Sequence, residues 1–113
     1  MLKHGIQVYE ILANGNTLNG TYTNTRLLDK NRYYLENEIA RKIVPDEHGV
    51  EGEYSSIYTE SLPTQRTVKC SLSITKRHNV YEFVWKDLDG VVIHEGIGLK
   101  VGKDHIAVSY QAL

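Results

Sequence analysis

Apolar and polar residues alternate with a period of two along most of this chain, a pattern typical of half-buried β-strands. Clusters of turn-forming residues, such as Asn14-Gly15 and Asp89-Gly90, separate the alternating segments. The pattern predicts strands near residues 6–12, 17–24, 52–59, 66–75, 79–87, 91–99 and 105–111.

Residues 33–43 fit two kinds of element. A strand would place Tyr33, Leu35 and Ile39 on one face, whereas a helix would place Leu35, Ile39 and Ile43 on one stripe. We favour the strand, because an eighth strand lets an up-and-down sheet close into a barrel and leaves no exposed edge.

The hairpin turns predict how the last strands pair. The segment 87–90, with sequence DLDG, suits a type I turn followed by a glycine bulge, a register that sets Phe83 opposite Glu95. A rival two-residue turn would set Phe83 opposite Gly96. We expect the bulged register, because it keeps the apolar side chains of both strands on one face.

Two further turns extend this argument to four strands. A type II′ turn at Gly102-Lys103 would set Glu95 opposite Tyr110, and a turn at Arg77-His78 would set Cys70 opposite Trp85. The shared apolar face would then comprise Val68, Cys70, Leu72, Ile74, Tyr81, Phe83, Trp85, Ile93, Ile97, Leu99, Ile106, Val108 and Tyr110.

The glycines of the segment HEGIGLKVG, residues 94–102, do not form a phosphate-binding loop, because the spacing differs from the dinucleotide fingerprint and no helix follows. The same registers place Gly96, Gly98, Ala107 and Ser109 together on the outer face. Such a strip of small residues indicates either sharp coiling of a small barrel or a packing surface for a second subunit.

Glu95 is the candidate polar residue, because the chosen registers point it into the core between Phe83 and Tyr110. A carboxylate there needs a partner, and the Tyr110 hydroxyl is available. A local bulge that turns Glu95 to solvent is the alternative. An inward Glu95 would be the first choice for a ligand-orienting or acid–base group.

Composition excludes several classes of protein. The chain has 113 residues, 41% of them apolar, and a net charge of -1, which predicts one folded domain without a nucleic-acid or membrane-surface footprint. No apolar run approaches the roughly 20 residues of a membrane span, and no signal segment is evident, so a cytoplasmic location is expected. The single cysteine, Cys70, is predicted to be an inert buried thiol. The scattered histidines predict no metal site, and no cofactor is expected.

Tyrosine is unusually frequent, with eight residues against one phenylalanine and one tryptophan. Buried tyrosines need hydrogen-bond partners for their hydroxyls. The excess therefore indicates either a half-polar interior or a rim around a cavity, unless it reflects only the preference of tyrosine for strands.

The run from Gly52 to Gln111 resembles a small domain common in bacterial proteins of unassigned function. The matching motifs are GEY at 52–54, YEFVW at 81–85, GIG at 96–98 and IAVSY at 106–110. Similar domains are calycin-like, related in shape to lipocalins and avidins. The resemblance implies a fold and no functional residue.

These observations predict an all-β protein, a single antiparallel up-and-down β-barrel domain of about eight strands over residues 1–113, calycin-like in shape. The expected function is non-enzymatic binding of a small apolar or aromatic molecule inside the barrel. The expected lining is Tyr54, Tyr58, Tyr81, Trp85, Glu95 and Tyr110.

Two alternatives stay open. The first is a homodimerisation module with a filled core that associates through the strip of small residues. The second is a cofactor-free isomerase or cyclase that uses Glu95 and a tyrosine as acid and base.

Overall fold

Eight antiparallel strands follow one another around a closed barrel in chain order. The computed structural model describes residues 3–29, 35–61 and 64–113. The strands are β1 (His4–Leu12), β2 (Thr17–Asn24), β3 (Glu36–Lys42), β4 (Gly52–Glu60), β5 (Arg66–Arg77), β6 (Val80–Lys86), β7 (Val92–Val101) and β8 (His105–Ala112). Because β1 pairs with β8, the sheet closes without an open edge.

All the predicted strands are confirmed, including the ambiguous segment, which forms β3. Tyr33, which the prediction placed on that strand, lies outside the described residues. A 3-10 turn at Ala13–Gly15 joins β1 to β2, and a short helix α1, Thr25–Asp29, follows β2. Within the described ranges, neither helical segment is long and apolar enough to cross a membrane.

One half of the barrel interior is a filled apolar core. The ring of Phe83 stacks on that of Tyr9 with 5.8 Å between their centroids. The side chains with no exposed surface here are Tyr9, Leu18, Leu72, Phe83 and Ile106. The inward faces predicted for β5, β6 and β8 are therefore confirmed.

The loop between β3 and β4 covers the barrel end beside this core. The Lys42 ammonium donates to Asp46 Oδ1 and to the Gly49 carbonyl, both at 2.6 Å. The Tyr54 hydroxyl lies 2.6 Å from the carbonyl oxygens of Gly15 and Val50. Lys42 and Tyr54 therefore both have hydrogen-bond acceptors at this end of the barrel, although their side chains are buried.

The predicted pairing of β6 with β7 is wrong by one residue. The turn itself forms as expected, because the Asp87 N–H donates to the Val91 carbonyl at 2.9 Å. A bulge farther along the hairpin then inserts one extra residue into β7, so that Phe83 faces Gly96 instead of Glu95. The slip of one residue turns the side chains of β7 from His94 onward to the face opposite the predicted one, whereas Ile93, at the bulge, packs against the core as predicted.

The predicted pairing of β7 with β8 is wrong by one residue in the same sense. The turn has three residues, 102–104, instead of two, and it begins at Gly102, whose φ of 67° favours glycine. Tyr110 consequently faces Gly96. Ile97 and Leu99 therefore point outward and are exposed, although they were expected in the core.

The strip of small residues is also corrected by this register. Gly96 and Gly98 face the barrel interior, whereas Ala107 and Ser109 lie on the outer face as predicted. The four residues therefore do not share one surface.

The β5–β6 hairpin differs from its prediction by two residues. Leu72 pairs with Trp85 instead of Phe83, and the turn is formed by His78 and Asn79. A slip of two residues preserves the face of each side chain, so the inward residues of both strands remain as predicted.

The inward glycines make room for large neighbouring side chains. A Cβ atom on Gly98 would lie 2.9 Å from Phe83 Cε1 and 3.0 Å from the Ala107 carbonyl oxygen. The first distance is one that real Cβ atoms essentially never show and the second is tighter than nine in ten real contacts, so the neighbours would have to move. The glycines of β7 thus serve close packing inside the barrel.

We predict that Gly98→Ala lowers the free energy of unfolding by about 1–3 kcal/mol, because the added methyl overpacks the core against Phe83. Urea unfolding followed by circular dichroism measures the change. Ser109→Ala, on the outer face of the adjacent strand, is the matched control and should shift stability by less than about 0.5 kcal/mol. A stabilised Gly98→Ala variant would contradict the register.

Candidate functional site

A cavity of about 50 Å³ opens at the barrel end opposite the Lys42 loop. Its inner walls are formed by Gln7, Tyr22, Glu36, Glu38, Trp85 and Tyr110. Lys3, Arg26, Leu27 and Glu60 lie nearer the mouth, where β1, β2 and β4 begin or end. The cavity is therefore half aromatic and half polar, in contrast to the apolar core below it.

Glu38 is the centre of the polar wall. Its Oε1 accepts hydrogen bonds from Gln7 Nε2 and Tyr9 Oη, both at 2.7 Å. Its Oε2 accepts from Trp85 Nε1 at 2.9 Å and from the Ser56 hydroxyl. The residue is 3% exposed, so the four donors compensate for the loss of water around a buried carboxyl group.

Glu36 lies two residues before Glu38 on the same inward face of β3 and is 7% exposed. Its Oε2 accepts a hydrogen bond from Thr59 Oγ1 at 3.1 Å. Its Oε1 is buried and has no hydrogen-bond partner among the residues that the structure describes. Glu36 is thus half-satisfied, and it borders the cavity.

Aromatic rings surround the cavity in a connected series. The ring of Tyr22 meets those of Tyr58 and Tyr110 edge-on, with centroids 6.3 Å and 6.2 Å apart. The ring of Tyr110 lies 5.9 Å from that of Trp85. The Tyr22 hydroxyl donates to the Thr59 carbonyl, so this side chain presents mainly its ring to the cavity.

The Tyr110 hydroxyl does not meet Glu95. It donates to the Thr23 carbonyl at 3.2 Å and accepts from Asn24 Nδ2 at 3.3 Å. Burial raises the pKa of Tyr110 to about 12, with the Asn24 hydrogen bond opposing that shift. Tyr110 is therefore a neutral phenol that helps to shape the mouth of the cavity.

His94 completes the aromatic wall between Trp85 and Tyr110, with ring centroids 6.2 Å and 5.8 Å away. Burial, together with the nearby charge of Lys3, lowers the pKa of His94 to about 4, and Glu60 opposes the shift. The imidazole is therefore neutral near pH 7, and it adds no positive charge to the cavity.

The mouth carries the positive charge of the site. Lys3 and Arg26 both border it, and burial lowers the pKa of Lys3. The Glu60 carboxylate also lies there and pairs with Arg66 at 2.8 Å. The inner wall of the cavity therefore carries acidic groups, and its rim carries the basic groups Lys3 and Arg26.

Three of the six predicted lining residues border the cavity, namely Tyr58, Trp85 and Tyr110. Tyr54 is buried at the closed end, and Tyr81 is buried elsewhere in the core. Glu95 is exposed on the outer face, so the prediction that it points into the core is wrong. The extra residue in the β6–β7 hairpin is the reason.

Cys70 is buried, as predicted. Burial and the nearby charge of Glu38 raise the pKa of its thiol to about 12, which leaves it protonated near pH 7. Within residues 3–29, 35–61 and 64–113, the structure contains no group of three or more His, Cys, Asp or Glu side chains that could hold a metal ion.

The sequence interpretation missed the polar residues of the site, which are Gln7, Glu36, Glu38 and His94. The prediction assigned the inward face of each strand from its large apolar residues. On β3 the apolar residues point outward and the acidic residues point inward. The excess of tyrosine was the informative signal, because it indicated a half-polar interior or a cavity rim, and both are present.

Comparison of the chain with protein-family models, curated proteins and solved structures finds no match. The barrel topology alone does not establish a calycin-like identity, so that resemblance stays a prediction. The chemistry of the cavity must therefore carry any functional proposal.

We predict that Glu38→Ala lowers the free energy of unfolding by at least about 3 kcal/mol, because four buried donors lose their acceptor at once. Glu38→Gln, which keeps the volume and one acceptor oxygen, should lose less. Urea unfolding provides the measurement. Glu95→Ala on the outer face is the control, and equal losses for the two alanine variants would contradict the assigned role of Glu38.

We predict that His94 makes stability depend on pH between about 6.5 and about 4. Since the folded-state pKa is lowered, the unfolded chain takes up a proton in this window that the folded chain does not, and stability falls as the pH falls. His94→Gln should lose less stability than the wild type between pH 7 and pH 5 in urea titrations. His105→Gln, an exposed site, should behave like the wild type. A wild-type profile in His94→Gln would contradict the assignment.

Proposed function

We propose that this protein binds a small molecule in the cavity at the open end of the barrel, without chemical conversion of the ligand. The observation that carries the proposal is the side chain of Glu36, which borders the cavity and whose buried Oε1 has no hydrogen-bond partner among residues 3–29, 35–61 and 64–113. Buried polar atoms in folded proteins are nearly always hydrogen-bonded, so an orphan acceptor beside a cavity indicates a missing donor. A ligand with a donor group supplies it.

The size of the cavity limits the ligand. At about 50 Å³ it has room for several water molecules or for a compact group of a few non-hydrogen atoms. Typical pockets for drug-sized ligands are larger, roughly 300–1,000 Å³. The proposed ligand is therefore small, or inserts only a small part of itself.

The aromatic walls suit the apolar or aromatic ligand expected from the sequence, but the acidic wall does not suit a purely apolar one. The rings of Tyr22, Tyr58 and Tyr110 offer apolar contact. The acidic wall formed by Glu36 and Glu38 adds a requirement for a hydrogen-bond donor. A small amphipathic molecule satisfies both.

The geometry does not support the acid–base role that the isomerase or cyclase hypothesis gave to Glu95. The isomerase or cyclase hypothesis used Glu95 as the acid–base group, and Glu95 is exposed outside the barrel. Both oxygens of Glu38 are occupied by hydrogen bonds from the protein itself. A general base must reach a substrate proton, and Glu38 offers no free position for one.

Self-association is a second candidate function. Ala107 on β8 lies directly between Val8 on β1 and Leu99 on β7, and Ser109 lies likewise between Ile6 and Ile97. These four flanking apolar side chains are exposed, which gives the outer face a contiguous apolar surface. Sedimentation velocity over a concentration series measures association through this face.

Trp85, the only tryptophan of the chain, lies on the cavity wall and provides the readout for ligand binding. We predict that compact donor-bearing fragments change its fluorescence in a saturable way, and that native mass spectrometry of freshly purified protein shows any retained ligand. Glu36→Leu should abolish the response, whereas Glu53→Leu on the outer face should leave it intact. A wild-type protein that gives no saturable response to any such fragment would contradict the proposal.

A further inference from the structure

Two acidic side chains project into the same small cavity from alternate residues of β3. Glu36 is 7% exposed and Glu38 is 3% exposed, so both carboxyl groups are largely removed from solvent. A buried carboxylate needs a counter-charge or a full set of hydrogen bonds, or else it takes up a proton. The source of that compensation differs between the two residues.

Neutral groups alone satisfy Glu38. Its donors are the amide of Gln7, the hydroxyls of Tyr9 and Ser56, and the indole of Trp85. They stabilise the carboxylate without cancelling its charge. From the described part of the chain, Glu36 receives one neutral hydrogen bond, from Thr59, and its Oε1 has no partner there.

The basic side chains among the described residues near the site lie at its rim. Lys3 and Arg26 border the mouth, and Arg66 is already paired with Glu60. Lys42, the buried lysine of the same strand, is held by Asp46 at the opposite end of the barrel. Within the described part of the chain, no cation therefore contacts Glu36 at a distance typical of a salt bridge.

The aromatic rings offer a second attraction for positive charge. The hydroxyls of Tyr22 and Tyr110 donate hydrogen bonds to backbone carbonyls, and the indole N–H of Trp85 donates to Glu38. These side chains therefore offer the cavity ring surface, since their polar hydrogens are already used in hydrogen bonds. Ring faces attract cations and offer nothing to a carboxylate or phosphate.

We infer that the ligand is a small organic cation whose protonated amine binds the carboxylate of Glu36 at the wall of the cavity. The inference rests on the proposed ligand-binding function and names the chemical class of ligand. A neutral donor would supply only the missing hydrogen bond, whereas an ammonium group also supplies the missing positive charge. Because Lys3 and Arg26 stand at the rim, a second positive charge at the outer end of the ligand is unfavourable.

The test uses four probes of the same carbon skeleton: propylammonium, propanol, propionate and diaminopropane as its dication. Binding is measured through Trp85 fluorescence and protein chemical shifts at constant ionic strength. We expect propylammonium to bind at least about tenfold more tightly than propanol, since hydrogen bonds to charged groups are the stronger ones. Propionate and the dication should both bind more weakly than propylammonium.

Glu36→Gln, which keeps the shape of the side chain, should weaken propylammonium at least about tenfold and change propanol by no more than about twofold. Glu53→Gln on the outer face is the matched control and should leave both affinities unchanged. An unchanged preference for propylammonium in Glu36→Gln would overturn the inference. If that variant does not fold, the wild-type ranking of the four probes still decides the charge preference.

The two levels of the proposal fail in different ways. Equal binding of propylammonium and propanol to the wild type would overturn the cation assignment and leave small-ligand binding intact. Preferential binding of propionate would overturn it in the same way. If none of the four probes gives a saturable response, the cation assignment is overturned. The broader ligand-binding function fails only if donor-bearing fragments outside this set give no response either.

Discussion

The hydrogen bonds to the carboxyl group of Glu38 connect four strands of this barrel across its interior. The acceptor lies on β3, and its donors come from β1, β4 and β6, so one side chain connects strands on different sides of the interior. A slip of β3 by one residue would move Glu38 to solvent and leave four buried donors without an acceptor. The network therefore fixes the register of a strand whose apolar residues favour the opposite orientation. It also forms the polar wall of the cavity.

The interior divides into two halves because of where this network lies. On one side of it, Tyr9 and Phe83 stack within a filled core, and the Lys42–Asp46 pair closes the barrel end. On the other side, the aromatic rings meet edge-on and leave a cavity. A small eight-stranded barrel can either fill with side chains or hold a small ligand. This chain combines a filled half, where Gly98 of β7 leaves room for the ring of Phe83, with an open half, where aromatic and polar side chains line a cavity.

The sequence predicted the strands and the barrel well. The prediction of which side chains point inward was right for some strands and wrong for others. On β5, β6 and β8 the large apolar residues point inward, so alternation identified the core face correctly. On β7 the inward residues include Gly96, Gly98 and His94, and the outward ones include Ile97 and Leu99. The β6–β7 register was predicted from burial of the apolar residues of β7, and the β7–β8 register from a two-residue type II′ turn at Gly102-Lys103. Each hairpin contains one extra residue, and this residue determines which face of β7 points inward. The hydrophobic pattern gives no sign of it.

On β3, too, apolar residues point outward and polar residues point inward. This arrangement explains why the sequence did not reveal the candidate site, and it is also a sign of function. Leu35 is 70% exposed and Ile39 is 37% exposed, whereas Glu36 and Glu38 are almost fully buried. Folding alone favours the opposite arrangement, because burial of an acid is unfavourable and burial of isoleucine is favourable. Local rules are most often broken where function requires it. For Glu38 the protein supplies its own compensation in four hydrogen bonds. For Glu36 the described residues supply one hydrogen bond and leave Oε1 without a partner. Because this side chain borders the cavity, the cavity is the place to seek a ligand, instead of the outer face.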